Sequence, residues 1–407
     1  MTPLAGLRVI EATVGIAGPM AACRLADLGA NVVKIERGAG DWMRAAMPRL
    51  ADGEMSAAFF ALNRGKRSVL LSDDAAEARR QLASIAASAD VLIVDETFDD
   101  VAGPNVTRSQ RLIVLDISAL GRKGPLAGKP GSELGAQAMA GYTRYVSAQS
   151  QPPARLGADV AGASTAIFAA QAILAALISR SKSGHGQRIE LSLLNSLLSM
   201  KTVHLAAQSD PDKYEGPRVG GAYDPPERGW ATADAPITFA FGGAVGAEGR
   251  PGWTQFIAAM GLSHMLNDPR FDKTGRQTTG LGPKARELKS EYEVGFRKHA
   301  SADVVANVRK FGGFASAYLT HAELLNEPQV AALDVVKSVE SNGGTQRALS
   351  FPVRFAGTKV PLHCDAPRLG QHTEEILAEL ASSKSKGSAK SPGKRARTRV
   401  RKQERRV

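Results

Sequence analysis

Leu7 to Glu36, LRVIEATVGIAGPMAACRLADLGANVVKIE, decides how the rest of the chain is read. Leu7 to Glu11, with Leu7, Val9 and Ile10 in five residues, reads as a buried strand. Val14-Gly15-Ile16-Ala17-Gly18-Pro19 is a turn, Met20 to Leu28 carries a helical pattern stopped by Gly29, and Asn31 to Glu36 is a second strand. The unit is βαβ, and its glycine-bearing first turn offers backbone N–H groups at a helix N-terminus, where an anion is stabilised. Glu36 falls about twenty residues on, where a dinucleotide-binding fold places its ribose-binding acid, but Gly15-x-x-Gly18-Pro19 lacks the G-x-G-x-x-G spacing. Further along, Asp74 to Ala87 is helical, Val91 to Val94 and Leu112 to Ile117 are strands, and Leu120-Gly121-Arg122-Lys123-Gly124-Pro125 is a loop. The alternation predicts an open, mostly parallel α/β sheet of Rossmann-like type.

A chain of 407 residues has room for two domains, or for one large core with a smaller insertion. Residues 1–198 read as the large domain, and 199–228, rich in Asp, Pro and Gly from Ser209 on, as a linker. Residues 229–325 mix short strands such as Ile237 to Phe241 with helices, which suits a small α+β domain. The net charge of +12 belongs mostly to one end: Lys384 to Arg406 holds eleven Lys or Arg against one Glu, a net +10 that leaves +2 elsewhere. The Ser/Lys/Arg/Gly-rich tail, 381–407, is expected to be disordered, either simply solvated or in weak contact with a polyanion. Two cysteines make no disulfide framework and no Cys/His spacing suits a metal. The N-terminus lacks the basic and apolar regions of a secretory signal, so a reducing, cytoplasmic setting is expected. The most apolar window, Ala161 to Ile178, is broken by Ser164, Thr165 and Gln171 and reads as a buried helix short of a membrane span.

The candidate chemistry lies in Pro152 to Leu193, PPARLGADVAGASTAIFAAQAILAALISRSKSGHGQRIELSL. Asp159 is its only carboxylate before Glu190, and it stands where Leu156-Gly157-Ala158 meets a helical pattern starting near Val160. Aspartate is a preferred N-cap, its carboxylate accepting first-turn N–H groups. The other reading is a carboxylate presented for reaction.

The wording of the whole chain resembles the class III CoA-transferases, the CaiB/BaiF family that includes formyl-CoA transferase and carnitine CoA-transferase. The marks are Ala17-Gly18-Pro19, Leu25-Ala26-Asp27-Leu28-Gly29-Ala30, Val33-Lys34-Ile35-Glu36-Arg37 and Gly40-Asp41-x-x-Arg44. They continue with Leu62 to Val69 (LNRGKRSV), Lys182 to Gln187 (KSGHGQ), Asn267 to Phe271 (NDPRF) and Ala366-Pro367-x-Leu369-Gly370-x-His372-Thr373. The resemblance implies that 326–380 returns to the large domain, so that the chain closes into a ring and two rings interlock as a homodimer. It implies Asp159 as the nucleophile toward an acyl-CoA thioester, with Glu133 beside it. For coenzyme A, a substrate and not a resident cofactor, it points to Arg37, Lys66, Arg67 and Lys129 as charges for the phosphates. Val14, Gly15 and Ala17 would lie along the pantetheine arm, with Asn63 close by.

This chain also departs from the family pattern. Val14 and Ile16 replace the His and Gln of formyl-CoA transferase, which makes a more apolar acyl pocket the expectation. Asp95-Glu-Thr-Phe-Asp-Asp100 replaces an Asn-Phe-x-Pro-Gly run and sets acids near the phosphate region. Gly220-Gly221 is the nearest candidate for a mobile glycine loop. The alternatives are an α-methylacyl-CoA racemase, a catalytically degenerate homologue, a nicotinamide oxidoreductase resting on Glu36, and a protein that binds through its tail. The racemase motif Gly-His-Asp falls on Gly131-Ser132-Glu133, and serine is no base near neutral pH.

Overall fold

The computed structural model describes residues 2–51, 53, 55–102, 109–144, 152–209, 229–241, 252–272, 274–280, 282–341 and 344–388. From the N-terminus the elements are β1 (Arg8–Ala12), α1 (Ala17–Asp27), β2 (Asn31–Glu36), α2 (Ala57–Asn63), β3 (Lys66–Leu70) and α3 (Ala75–Ala86). Then follow β4 (Val91–Asp95), β5 (Ile113–Ser118), α4 (Glu133–Met139), α5 (Val160–Ser183) and β6 (Arg188–Ser192). Among the described residues these strands form one sheet in the order β3-β2-β1-β4-β5-β6. Every pairing is parallel, with Ile10 opposite both Val33 and Leu92. The expected Rossmann-like sheet is therefore present. Strand order reverses at β1, between β2 and β4, and the turn after β1 leaves the carboxyl end of the sheet at that switch point, where such sheets bind ligands.

Alternation along the strands builds two cores. Ile10, Val33, Val69, Leu92 and Val114 face Leu82 and Ile85 of α3 together with Ile376 and Leu380 of the final helix, Thr373–Ser388. Val9, Val32, Val91, Ile113 and Leu115 face Leu25 of α1 and Ala166, Ala169 and Ile173 of α5. By length and apolarity α5 could cross a membrane, contrary to the sequence expectation, yet its small inner residues lie buried on the sheet. The final helix also corrects the expected start of the tail, because it continues through Ser388. Once a helix is nucleated against the core, each added residue gains a hydrogen bond without a new nucleus. The rest of the tail, most of the expected linker and Gly220-Gly221 lie outside the described residues.

Contacts divide the chain into two units. The first takes in the described residues of Met1–Lys129, Gly162–Leu193 and Ser338–Val407, and the second those of Pro130–Ala161 and Leu194–Lys337. Residues 130–161, expected with the sheet, thus go with the second unit. The Tyr142 hydroxyl donates to Leu197 O at 3.2 Å and the Lys201 ammonium to Ala140 O at 3.0 Å, which ties this segment to the stretch after β6. The second unit combines helices with a two-stranded antiparallel pair. Strands Ile237–Ala240 and Phe314–Ala317 pair antiparallel. Phe239 lies amid the rings of Trp230, Tyr292 and Phe296, with centroids 4.7, 5.1 and 5.2 Å away.

Candidate active site

The turn after β1 is held from below by buried charge. Gly15 has φ +80°, and a Cβ there would meet the Trp42 ring at 3.3 Å. At Gly18 a Cβ would come within 2.0 Å of Thr13 Oγ1, so only glycine lets α1 start against the strand. Lys34, fully buried, donates to Glu11 at 3.1 Å and Thr13 O at 3.0 Å and pairs with Asp41 at 3.0 Å. Burial alone would lower its pKa, and the Glu11 and Asp41 carboxylates outweigh that and raise it. Asp41 in turn accepts the Gly15 N–H at 3.1 Å, and Asp95 accepts the Val14 N–H at 2.8 Å. Burial pushes the Asp95 carboxyl up to about 6, against the hydrogen bonds it receives from Thr97 and Val14. Two N–H groups expected to face an anion are thus satisfied by the protein's own carboxylates.

Several residues expected at coenzyme A turn inward. Lys66 opens β3 with its ammonium buried, donating to Glu11 at 3.0 Å, Pro19 O at 2.8 Å and Asn63 Oδ1 at 2.7 Å. Burial lowers its pKa. Asn63 is fully buried and donates its own amide to Phe59 O. The reason is charge balance: Glu11 lies in the core and needs cations, and Lys34 of the adjacent β2 and Lys66 of β3, one strand further out, both reach it. Arg67, on the opposite face of β3, pairs with Glu375 and Glu379 of the final helix. Arg37 remains half-exposed with Asp100 at 2.8 Å, and Lys129 is exposed. Ala17 is buried at the start of α1.

The acid run after β4 is not an open negative patch. Asp95 accepts from Thr97 as well as Val14, Asp99 pairs with Arg122, and Asp100 pairs with Arg37. Glu36, where a nicotinamide-binding fold would hold ribose, is closed off. Arg44 grips both its oxygens at 2.7 and 2.6 Å, and the Ser68 hydroxyl donates at 2.7 Å. Burial would raise the Glu36 pKa, and Arg44 brings it below the ordinary value. A cavity of about 360 Å³ beside Arg44, Met55, Phe59, Phe60 and Leu369 contains none of the expected contact residues.

Asp159 sits immediately before α5, and its carboxylate is not the helix cap. The first-turn N–H of Ala161 donates to Glu133 Oε1 at 2.8 Å. Asp159 instead pairs with Arg155, both side chains half-exposed. Glu133, expected beside Asp159, is the first residue of α4, and its carboxylate accepts from Ala161, two residues after Asp159. Gln137, one turn further along α4 and fully buried, donates to Glu133 at 2.8 Å and to Ala158 O at 3.4 Å, and accepts the Leu156 N–H at 3.2 Å. Gln137 and Arg155 were missed by the sequence reading. The i,i+4 spacing of Glu133 and Gln137, which puts both on one helix face, was the available signal. Ser132, at the racemase base position, caps α4 by accepting the Gly135 N–H at 3.1 Å.

A family model described as CoA-transferase family III matches residues 4–373. The chain is 29% identical over 401 residues to an acyl-CoA transferase of Fusarium pseudograminearum, covering 93% of this chain and 84% of that one. It is 29% identical over 396 residues to a succinate-glutarate CoA-transferase of Agrobacterium fabrum, covering 93% and 96%. Its backbone is similar to the crystal structure of a CaiB/BaiF family protein from Brucella suis, with a TM-score of 0.81 and 27% identity, covering 93% of this chain and 99% of that one.

Proposed function

The chain belongs to CoA-transferase family III, and from that premise we propose that it moves coenzyme A from an acyl-CoA to a carboxylic acid through Asp159. The observation that carries this reading is the cap made by Glu133: the Ala161 N–H is satisfied by another residue, which leaves the Asp159 carboxylate at a helix N-terminus for chemistry. An Asp159 oxygen attacks the thioester carbonyl, the C–S bond breaks, and CoA leaves as thiolate from a mixed anhydride. The thiolate then attacks the aspartyl carbonyl, releasing the donor acid and forming an aspartyl-CoA thioester. The acceptor carboxylate attacks that thioester, and the thiolate attacks the acceptor carbonyl of the second anhydride, freeing Asp159. No proton is consumed.

Each first step runs uphill, because a carboxylate of pKa about 4 expels a thiolate of pKa about 8.5. The exchange proceeds when CoA is held by its distant end, so that the thiolate returns as a unimolecular nucleophile, and when water is excluded from the anhydride. Arg37, Lys129 and the Val14 to Ala17 turn are the proposed hold on CoA. Glu133 orients the approach to Asp159. Ser132, spent as a cap, favours transfer over racemase chemistry. The same reading takes the chain as a homodimer of interlocked rings.

The test is an acyl-CoA panel with intact-mass detection. A CoA-sized adduct on the protein, absent from Asp159→Ala together with exchange activity, is the expected result. An Asp159→Ala protein with wild-type turnover would remove Asp159 from the mechanism.

A further inference from the structure

We infer that Gln137 is a positioning residue for the nucleophile, its amide holding the backbone around Asp159 so that the carboxylate is presented without being used as a cap. The inference rests on the reading of Asp159 as nucleophile. A buried amide must find partners for its carbonyl and both N–H groups, and a purely structural glutamine finds them wherever the fold offers them. Here two of the partners, Leu156 and Ala158, lie just before Asp159, and the third, Glu133, accepts from Ala161 just after it. The carbonyl takes the Leu156 N–H, three residues before Asp159, and the NH2 group reaches Ala158 O, the residue just before it. The same NH2 group holds Glu133 Oε1, the atom that accepts the Ala161 N–H two residues after it. One side chain thus fixes the chain before Asp159 directly and after it through Glu133. The Asp159 carboxylate itself is left to Arg155.

The pattern of donor and acceptor makes the role testable by one atom. Gln137→Glu keeps an acceptor for the Leu156 N–H and nearly the same shape, but when ionised it loses the donor to Glu133 and sets like charge against it. Two facing carboxylates share a proton with a raised pKa, and the protonated acid restores a donor to Glu133. The ionisable groups on the segments this amide joins are Glu133, Arg155 and Asp159, and the arginine keeps its charge throughout.

The experiment measures CoA exchange by Gln137→Glu and Gln137→Leu relative to the wild type from about pH 5.5 to about pH 8.5, a range that brackets a raised carboxylate pKa. Circular dichroism checks the fold, and Asp159→Ala runs alongside. The expected result is a fall of about 100-fold in kcat for Gln137→Glu at the alkaline end, the scale of a misplaced reacting group, with recovery toward acid pH and an unchanged KM for the acyl-CoA. Gln137→Leu, which has no proton to regain, stays impaired at every pH. A Gln137→Glu protein whose activity relative to the wild type does not change with pH, at whatever level, overturns the inference. An active Asp159→Ala sinks the nucleophile reading itself. An inactive Asp159→Ala beside a pH-independent Gln137→Glu ratio sinks only the role of Gln137.

Discussion

At the scale of single residues, the turn after β1 depends in part on a carboxyl group whose ionisation is unfavourable where it sits. Asp95 is that group, and it pins Val14 and Thr97 by their N–H groups while burial pushes its carboxyl up to about 6. The fold binds that proton more tightly than the unfolded chain does. Its contribution to stability is therefore full below about pH 4 and lost as pH rises through about 6. Two pH units correspond to roughly 3 kcal/mol as an upper figure. Asp95→Asn carries no charge and keeps one carbonyl oxygen, which serves either the Val14 or the Thr97 N–H, since these bind different oxygens of Asp95. We expect the melting temperature of Asp95→Asn relative to the wild type to climb between about pH 4 and about pH 7. A difference that stays constant over that window would mean that Asp95 is not desolvated in the fold.

At the scale of elements, the final helix closes one face of the sheet, and two kinds of contact hold it. The pairs of Arg67 with Glu375 and Glu379 are partly exposed, and such pairs contribute about 0 to 1 kcal/mol each. Ile376 is fully buried among Ile10, Val33 and Leu92, where truncation removes transfer energy and leaves a cavity. Ile376→Ala should cost about 2 to 5 kcal/mol in urea unfolding, while Arg67→Gln should cost about 1 kcal/mol or less. The reverse ranking would show that charge and not packing seats the helix. Helix α5 obeys the same rule on the other face. Ala166, Ala169 and Ala176 are small enough to bring it close to the strands, and Ile173 fills the gap.

At the scale of the whole molecule, apolar surface remains on the outer side of α5, where Ile167 and Ile178 are each 61% exposed. A second copy of the chain would cover it, in keeping with the proposed homodimer. Light scattering at micromolar concentration should give twice the 42.9 kDa chain mass. A monomer would remove the interlocked-ring proposal and leave the Asp159 chemistry to stand on one chain.

Local pattern made β1, β2, β4 and β5 legible, with α1, α3 and α5 among them, but neither β3 nor β6. Short runs centred on β-branched residues such as Val32, Val33 and Ile35, a helical period stopped by Gly29, and a glycine turn are local patterns, and local pattern is what selects strand, helix and parallel sheet. The sequence also offered as candidates Asp159, a lone acid before an apolar helix, and, through the family resemblance, Glu133. Which polar group meets which follows instead from how distant segments pack. Lys66 reads as a surface cation in its own motif, yet it lies beside Glu11, 55 residues away, because a core carboxylate draws in its counter-ion. Segment 130–161 joined the second unit through bonds to residues beyond β6. The cap on α5 came from Glu133, 28 residues earlier, and not from the aspartate next to it. A helix N-terminus needs an acceptor, but which acceptor reaches it is settled by packing between segments distant in sequence.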